Sequence, residues 1–181
     1  PQCRSILDVA CGTGEHARLL AASYGFQVDG LDLDPVFVNM AGAKLPAGRF
    51  YHADMTDFHL NRQYDAILCL FSSIGYVRTL ANVRRALACF REHLAAGGVV
   101  ILEPWFPPGV LDPAHQDTRT VEVQGLRIVR VGRTELEGRL SRIRFDYEIE
   151  ESGGVRHASE LHELGLFTTE ELLLSFEAVG L

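Results

Sequence analysis

The strongest constraint on the fold is an alternation of short, mostly apolar segments with amphipathic ones. Ser5 to Ala10, Phe26 to Leu31, Ala66 to Phe71 and Gly98 to Leu102 are each too short for a helix and are hydrophobic on both faces. Such runs belong to parallel strands covered by helices on both faces. Between them, Glu15 to Tyr24, Pro35 to Lys44 and Leu80 to Ala95 carry helical spacing, the last expected to close at the glycine pair 97 and 98. A short strand near Phe50 completes the series. Repeated β and α segments predict an α/β fold, a Rossmann-like, doubly wound and mainly parallel sheet with right-handed crossovers.

After Trp105 the pattern changes. Prolines 104, 107, 108 and 113 interrupt any helix, and period-2 alternation follows, clearest from Ser141 to Glu150. There Ile143, Phe145, Tyr147 and Ile149 share one face and Arg142, Arg144, Asp146 and Glu148 the other, the signature of a half-buried antiparallel strand. Gly138 and the pair Gly153-Gly154 mark hairpin turns. The expected organisation is a cofactor-binding core over residues 1–105, an antiparallel β lid over 106–167, and a returning helix over 168–181, capped at Thr168 or Thr169.

A chain of 181 residues, 47% apolar and 23% charged, builds one core and not two ordinary domains. It has no apolar run of about 18 residues and no basic-then-apolar leader, so a soluble cytoplasmic protein is expected, with no membrane partner. Cys3, Cys11, Cys69 and Cys89 lack metal-ligand spacing, which argues against a zinc site or any other metal. With 24 acidic and 17 basic residues the net charge is -7, which opposes a nucleic-acid partner.

The chemistry-bearing residues fall at the ends of successive strands. Asp8-Val9-Ala10-Cys11-Gly12-Thr13-Gly14 ends the first strand and opens a helix, where an open α/β sheet binds its ligand. Gly12 and Gly14 allow close backbone approach, and the helix start favours an anion such as the carboxylate of S-adenosylmethionine. Asp8 and the loop carbonyls, Ala10 included, then face its ammonium. Gly12 to Ala17 also fits the G-x-G-x-x-A pattern of a nicotinamide enzyme, but an acid four residues before the first glycine suits an ammonium better than a pyrophosphate. Asp32 can accept both ribose hydroxyls. Asp54 is expected at the adenine amino group, with Met55 on the ring face. Each taken singly has a plainer reading, a tight turn or a solvated acid; their common phase at strand ends favours S-adenosylmethionine as the cofactor.

These motifs resemble the nucleotide (TDP) aminosugar N,N-dimethyltransferases of macrolide antibiotic pathways, within the class I S-adenosylmethionine-dependent methyltransferases. The similarity runs over nearly the whole chain, through Leu7 to Gly14, Asp54-Met55-Thr56-Asp57-Phe58, Phe71-Ser72-Ser73-Ile74-Gly75-Tyr76, Glu103-Pro104-Trp105, and Gly154-Val155-Arg156-His157 with His162 and Leu166-Phe167 in the lid. The resemblance implies N-methylation of a nucleotide-linked aminosugar. It places Gly12 and its loop, Asp32, Asp54 and Met55 at the cofactor, and Tyr76 where family members carry a catalytic histidine or tyrosine. Phe71 is expected beside the cofactor, and Ser73, Trp105, Arg133, Arg142, His157 and His162 beside the substrate, the arginines as diphosphate partners.

Two departures touch the sugar side: Glu103-Pro104-Trp105-Phe106 has one tryptophan where two are usual, and Arg133 stands where a histidine is expected. Both ends are expected to be truncated against that family, since Pro1 lies just before the first strand and Leu181 before the last two. A homodimer is open to such a chain. The competing readings are a small-molecule O- or N-methyltransferase with another substrate, an NAD-dependent oxidoreductase, and a noncatalytic binding domain.

Overall fold

The computed structural model describes residues 3–181. Its first layer is five parallel strands with intervening helices: β1 (Ser5–Val9), α1 (Glu15–Tyr24), β2 (Gln27–Asp32), α2 (Pro35–Lys44), β3 (Phe50–His52), β4 (Tyr64–Cys69), a 3-10 turn (Ser73–Val77), α3 (Leu80–His93) and β5 (Leu94–Leu102). The sheet order is β3-β2-β1-β4-β5, every pairing parallel. The chain moves outward from β1 to β3 and returns to β4 on the other side of β1. That reversal opens a crevice beyond the carboxyl ends of β1 and β4, the general ligand position in such sheets.

Both faces of the sheet are covered. Leu7, Val9, Leu31 and Ile67 pack on one side with Val83, Leu87 and Phe90 of α3, while Ile6, Val28, Ala66 and Leu68 pack on the other with Ala17 of α1. This two-sided burial is why the strands read as apolar on both faces. Helix starts are capped as their sequences suggest: Asp34 accepts from the Val36 N–H with Pro35 in the first turn, and Thr79 accepts from the Asn82 N–H.

One boundary differs from the sequence reading. The helix expected to reach Ala95 ends at His93, and Leu94 already pairs with Tyr64. Leu94 is buried in the core, and the buried His93 ring accepts the Leu60 N–H at 2.7 Å through Nε2. These tertiary contacts draw the chain out of the helix before the glycines. Gly97, at φ +77°, then serves the irregularity inside β5. Among the described residues nothing pairs with the outer edge of β5, and Val99 and Ile101 are half exposed.

The second layer is a four-stranded antiparallel meander: β6 (Gln116–Val123), β7 (Leu126–Glu137), β8 (Leu140–Glu151) and β9 (Gly154–Gly165), in sequential order. The meander is anchored through the end of β9. Leu164 packs against Gly75 of the 3-10 turn, where an added Cβ would lie 2.8 Å from the leucine side chain, and Leu166 and Phe167 are buried. The chain closes with α4 (Thr169–Ala178), which packs on α3. A capping box of Thr168 and Glu171 starts this helix, and Arg139 of the lid pairs with Glu171.

Candidate functional site

The loop from Ala10 to Gly14 gives the crevice its floor. Ala10, Gly12 and Gly14 all have left-handed backbone, at φ +57°, +53° and +75°. At Gly14 an added Cβ would lie 2.7 Å from Ala41 Cβ, so no larger residue fits beside α2. At Gly12 a Cβ would meet nothing within 4 Å, which leaves the backbone open to whatever enters. No side chain caps the N-terminus of α1, so its N–H groups favour an anion.

Two carboxylates hold this loop. Asp32 accepts the Gly12 N–H at 2.8 Å through Oδ2 and the Asp34 N–H at 2.9 Å through Oδ1. A carboxylate has about four acceptor positions, so each oxygen keeps one. Asp8 is 2% exposed, and its Oδ2 has no hydrogen-bond partner. Burial, and secondarily the charge of Asp32, push its carboxyl up to about 7. Burial also pushes the neighbouring Cys11 and Cys69 thiols up to about 12, with Asp8 adding to each. A buried, unpaired carboxyl beside an open glycine loop is built to receive a cation.

Across the floor, Asp54 follows β3 and accepts from the Thr56 N–H and hydroxyl through Oδ1, at 2.8 and 2.9 Å, which fixes its turn. Met55 stands next to it. Together with Ala10, Gly12, Asp32 and Tyr76 these two line a single cavity of about 1050 Å³, enough for a drug-sized ligand and a second molecule.

A profile of the "Methyltransferase domain" family matches residues 6–98. The chain is 40% identical over its whole length to a dTDP-3-amino-3,6-dideoxy-alpha-D-glucopyranose N,N-dimethyltransferase of Streptomyces fradiae, of which it covers 71%. It is 36% identical to a dTDP-3-amino-3,4,6-trideoxy-alpha-D-glucopyranose N,N-dimethyltransferase of Streptomyces venezuelae, covering all of this chain and 76% of that one. Among solved structures, the sugar N-methyltransferase KedS8 of a Streptoalloteichus species superposes with a TM-score of 0.92 at 39% identity, over 98% of this chain and 72% of the other. The SAM-bound amino pentose methyltransferase CalS10 superposes at 0.91 and 35% identity, over 99% and 76%.

The chain belongs to the aminosugar N,N-dimethyltransferase family. It is therefore an S-adenosylmethionine-dependent methyltransferase of class I fold, and the nicotinamide reading of the glycine loop falls away.

Ser73 and Tyr76 lie in the 3-10 turn after β4 and both reach the cavity. The Tyr76 hydroxyl is 2.7 Å from His162 Nδ1 on β9. Burial and the charge of Glu160 raise the Tyr76 phenol above its usual value, so it stays protonated at neutral pH. Tyr76 is thus no free base of its own.

Several expected site residues are elsewhere. The Phe71 side chain is 74% exposed and meets the His16 ring at 5.1 Å, outside the cavity wall; a φ of +51° turns it away, and its N–H is held by Glu103 at 2.7 Å. Trp105 packs edge-on against Phe106 at 4.8 Å and is likewise outside that wall. Arg133, Arg142 and His157 lie on the face of the lid opposite to His162, as the registers of β7, β8 and β9 require. Arg133 pairs with Asp146 at 2.7 Å, and Arg142 with Glu163 at 2.9 Å and with Glu137. These arginines are thus ion-paired, part-exposed side chains on the lid face opposite to His162.

The lid face that carries His162 holds residues the sequence reading did not single out: Arg130, Phe145 and Glu160. Arg130 stacks on the Phe145 ring at 4.4 Å, and Phe145 meets His162 at 5.3 Å. Glu160 was legible, since it stands two residues before His162 on one strand. Arg130 was not, because its face depends on the register across the β7–β8 turn.

Proposed function

We propose that this methyltransferase transfers methyl groups to the amino group of a nucleotide-linked aminosugar, as a cytoplasmic enzyme of an antibiotic pathway. The observation that carries the reading is the continuity of the cavity, which joins Ala10 and Gly12 of the glycine loop, and Asp32 and Asp54 beside it, to Tyr76. The relatives named above act, by their names, on dTDP-linked aminosugars, and CalS10 belongs to calicheamicin biosynthesis.

The residues present fit S-adenosylmethionine. Asp8 and the Ala10 carbonyl would take the ammonium, the uncapped α1 N-terminus the carboxylate, and Asp32 the ribose hydroxyls. Asp54 would take the adenine amino group while Met55 packs on the ring. Bound there, the sulfonium supplies an activated methyl group with a neutral thioether as leaving group. The protein's own task is mostly orientation: it holds an amine lone pair in line with that methyl and keeps water out. Tyr76 meets the amine, and Ser73 contributes a second polar contact. Arg130, on the same lid face as His162, would be a further lid contact to the acceptor.

The test is incubation of the protein with S-adenosylmethionine and a panel of dTDP-aminosugars, with products followed by mass spectrometry. Methylated sugar is expected with a free amino acceptor and none with the corresponding hydroxyl sugar. Methyl transfer to oxygen, or to none of the panel, would overturn the reading.

A further inference from the structure

The lid brings a second pair of side chains to Tyr76 that the reaction itself does not name. His162 and Glu160 stand two residues apart on the same face of β9. His162 Nδ1 is 2.7 Å from the Tyr76 hydroxyl. Its Nε2 is buried with no hydrogen-bond partner, and the carboxylate oxygen Glu160 Oε2 is 3.5 Å away. The same oxygen accepts the Tyr147 hydroxyl at 3.0 Å, which fixes the carboxylate in place. Phe145 closes the other side of the imidazole ring.

We infer that Glu160 and His162 are positioning residues that set the direction of the Tyr76 hydroxyl, so that its oxygen accepts a proton from the substrate amine. The inference rests on the aminosugar reading and extends it.

The direction follows from donor and acceptor chemistry. A carboxylate only accepts, so the imidazole nitrogen facing Glu160 carries the proton. Neutral imidazole has one N–H, and Nδ1 is then an acceptor. The Tyr76 O–H must donate to it, which leaves the phenol oxygen's lone pairs for the cavity. The opposite tautomer would aim the phenol proton at the amine lone pair and block its attack.

The step balances in atoms and charge. The amine nitrogen forms its bond to the methyl carbon as the carbon–sulfur pair leaves with sulfur. The nitrogen's proton passes to the Tyr76 oxygen, and the phenol's own proton passes to His162 Nδ1. The resulting imidazolium faces Glu160 and returns its proton to solvent.

The experiment combines kinetics with a readout independent of turnover. His162→Leu should lower kcat about tenfold or more, while the aminosugar KM and the S-adenosylmethionine affinity stay within about twofold of the parent. His162→Asn, whose side-chain oxygen can take the place of Nδ1, should retain most of the turnover. In a Tyr76→Phe background, His162→Leu should have no further effect, because the two act as a unit. Additive losses, or a raised aminosugar KM, would overturn the inference. Long-range ¹⁵N NMR of the unliganded protein should show the Nε2–H tautomer at His162 and a mixture after Glu160→Gln. An Nδ1–H tautomer in the parent would equally overturn it. A parent that methylates no aminosugar would sink the functional reading, and the NMR result would still decide the hydroxyl's direction.

Discussion

Replacement of Asp8 by asparagine keeps the side chain's shape and removes its charge. The folded protein raises this carboxyl from 3.8 to about 7 through burial and the nearby Asp32. Between those values the folded state holds a proton that the unfolded chain has released, so stability falls as pH rises through the window. The loss is absent below about pH 4 and complete above about pH 7, where a shift near three units at 1.36 kcal/mol each corresponds to about 4 kcal/mol. Asparagine carries no such loss, although its amide, left unpaired in the same place, costs about 1–3 kcal/mol at every pH. The useful signal is therefore the slope. Relative to the parent, Asp8→Asn should gain about 3 kcal/mol of stability between pH 5 and pH 8. Urea unfolding followed by circular dichroism at several pH values measures it directly. A difference between the two proteins that stays flat with pH would refute the buried, unpaired carboxyl. The two roles of the residue separate cleanly, because above about pH 7 the same variant should bind S-adenosylmethionine worse while folding better.

If the ammonium docks on Asp8, binding expels the proton below about pH 7, and affinity should fall about tenfold from pH 8 to pH 6; calorimetry in buffers of different ionisation enthalpy should report close to one proton released at pH 6, and no release would remove Asp8 from the ammonium site. Asp32→Ala loses the carboxylate that holds the Gly12 and Asp34 N–H groups, and a cofactor affinity weaker by about 2–3 kcal/mol is expected by calorimetry; an unchanged value would exclude it from the pocket. Gly14→Ala places a Cβ 2.7 Å from Ala41 at a left-handed φ, and a stability loss of about 1–3 kcal/mol should appear in thermal melts. Arg133→Ala and Arg142→Ala remove exposed, solvent-screened ion pairs, and the aminosugar KM should stay at the parent's value; a raised KM would place these arginines at the substrate.

The sequence by itself determined the parallel core and the strand-end placement of the glycine loop, Asp8, Asp32 and Asp54. Both follow from local rules: strands buried on two faces are mostly apolar, and ligand-facing residues of an open α/β sheet fall where strands end. The alternation in Ser141 to Glu150 likewise gave the lid its strands, and Thr168 with Glu171 gave α4 its start. What the sequence left undecided was everything that depends on long-range register. Arg133, Arg142 and His157 are as polar as Arg130 and His162, and only the pairing of β7, β8 and β9 assigns them to opposite faces. Phe71 follows an apolar strand and reads as a pocket residue, yet a single positive φ turns it toward α1. Tyr76 and His162 are separated by 86 positions, and their hydrogen bond exists because Leu164 packs against Gly75 and fixes β9 over the 3-10 turn. A residue's identity shows what chemistry it can do; its partner across the lid is a property of the packed chain.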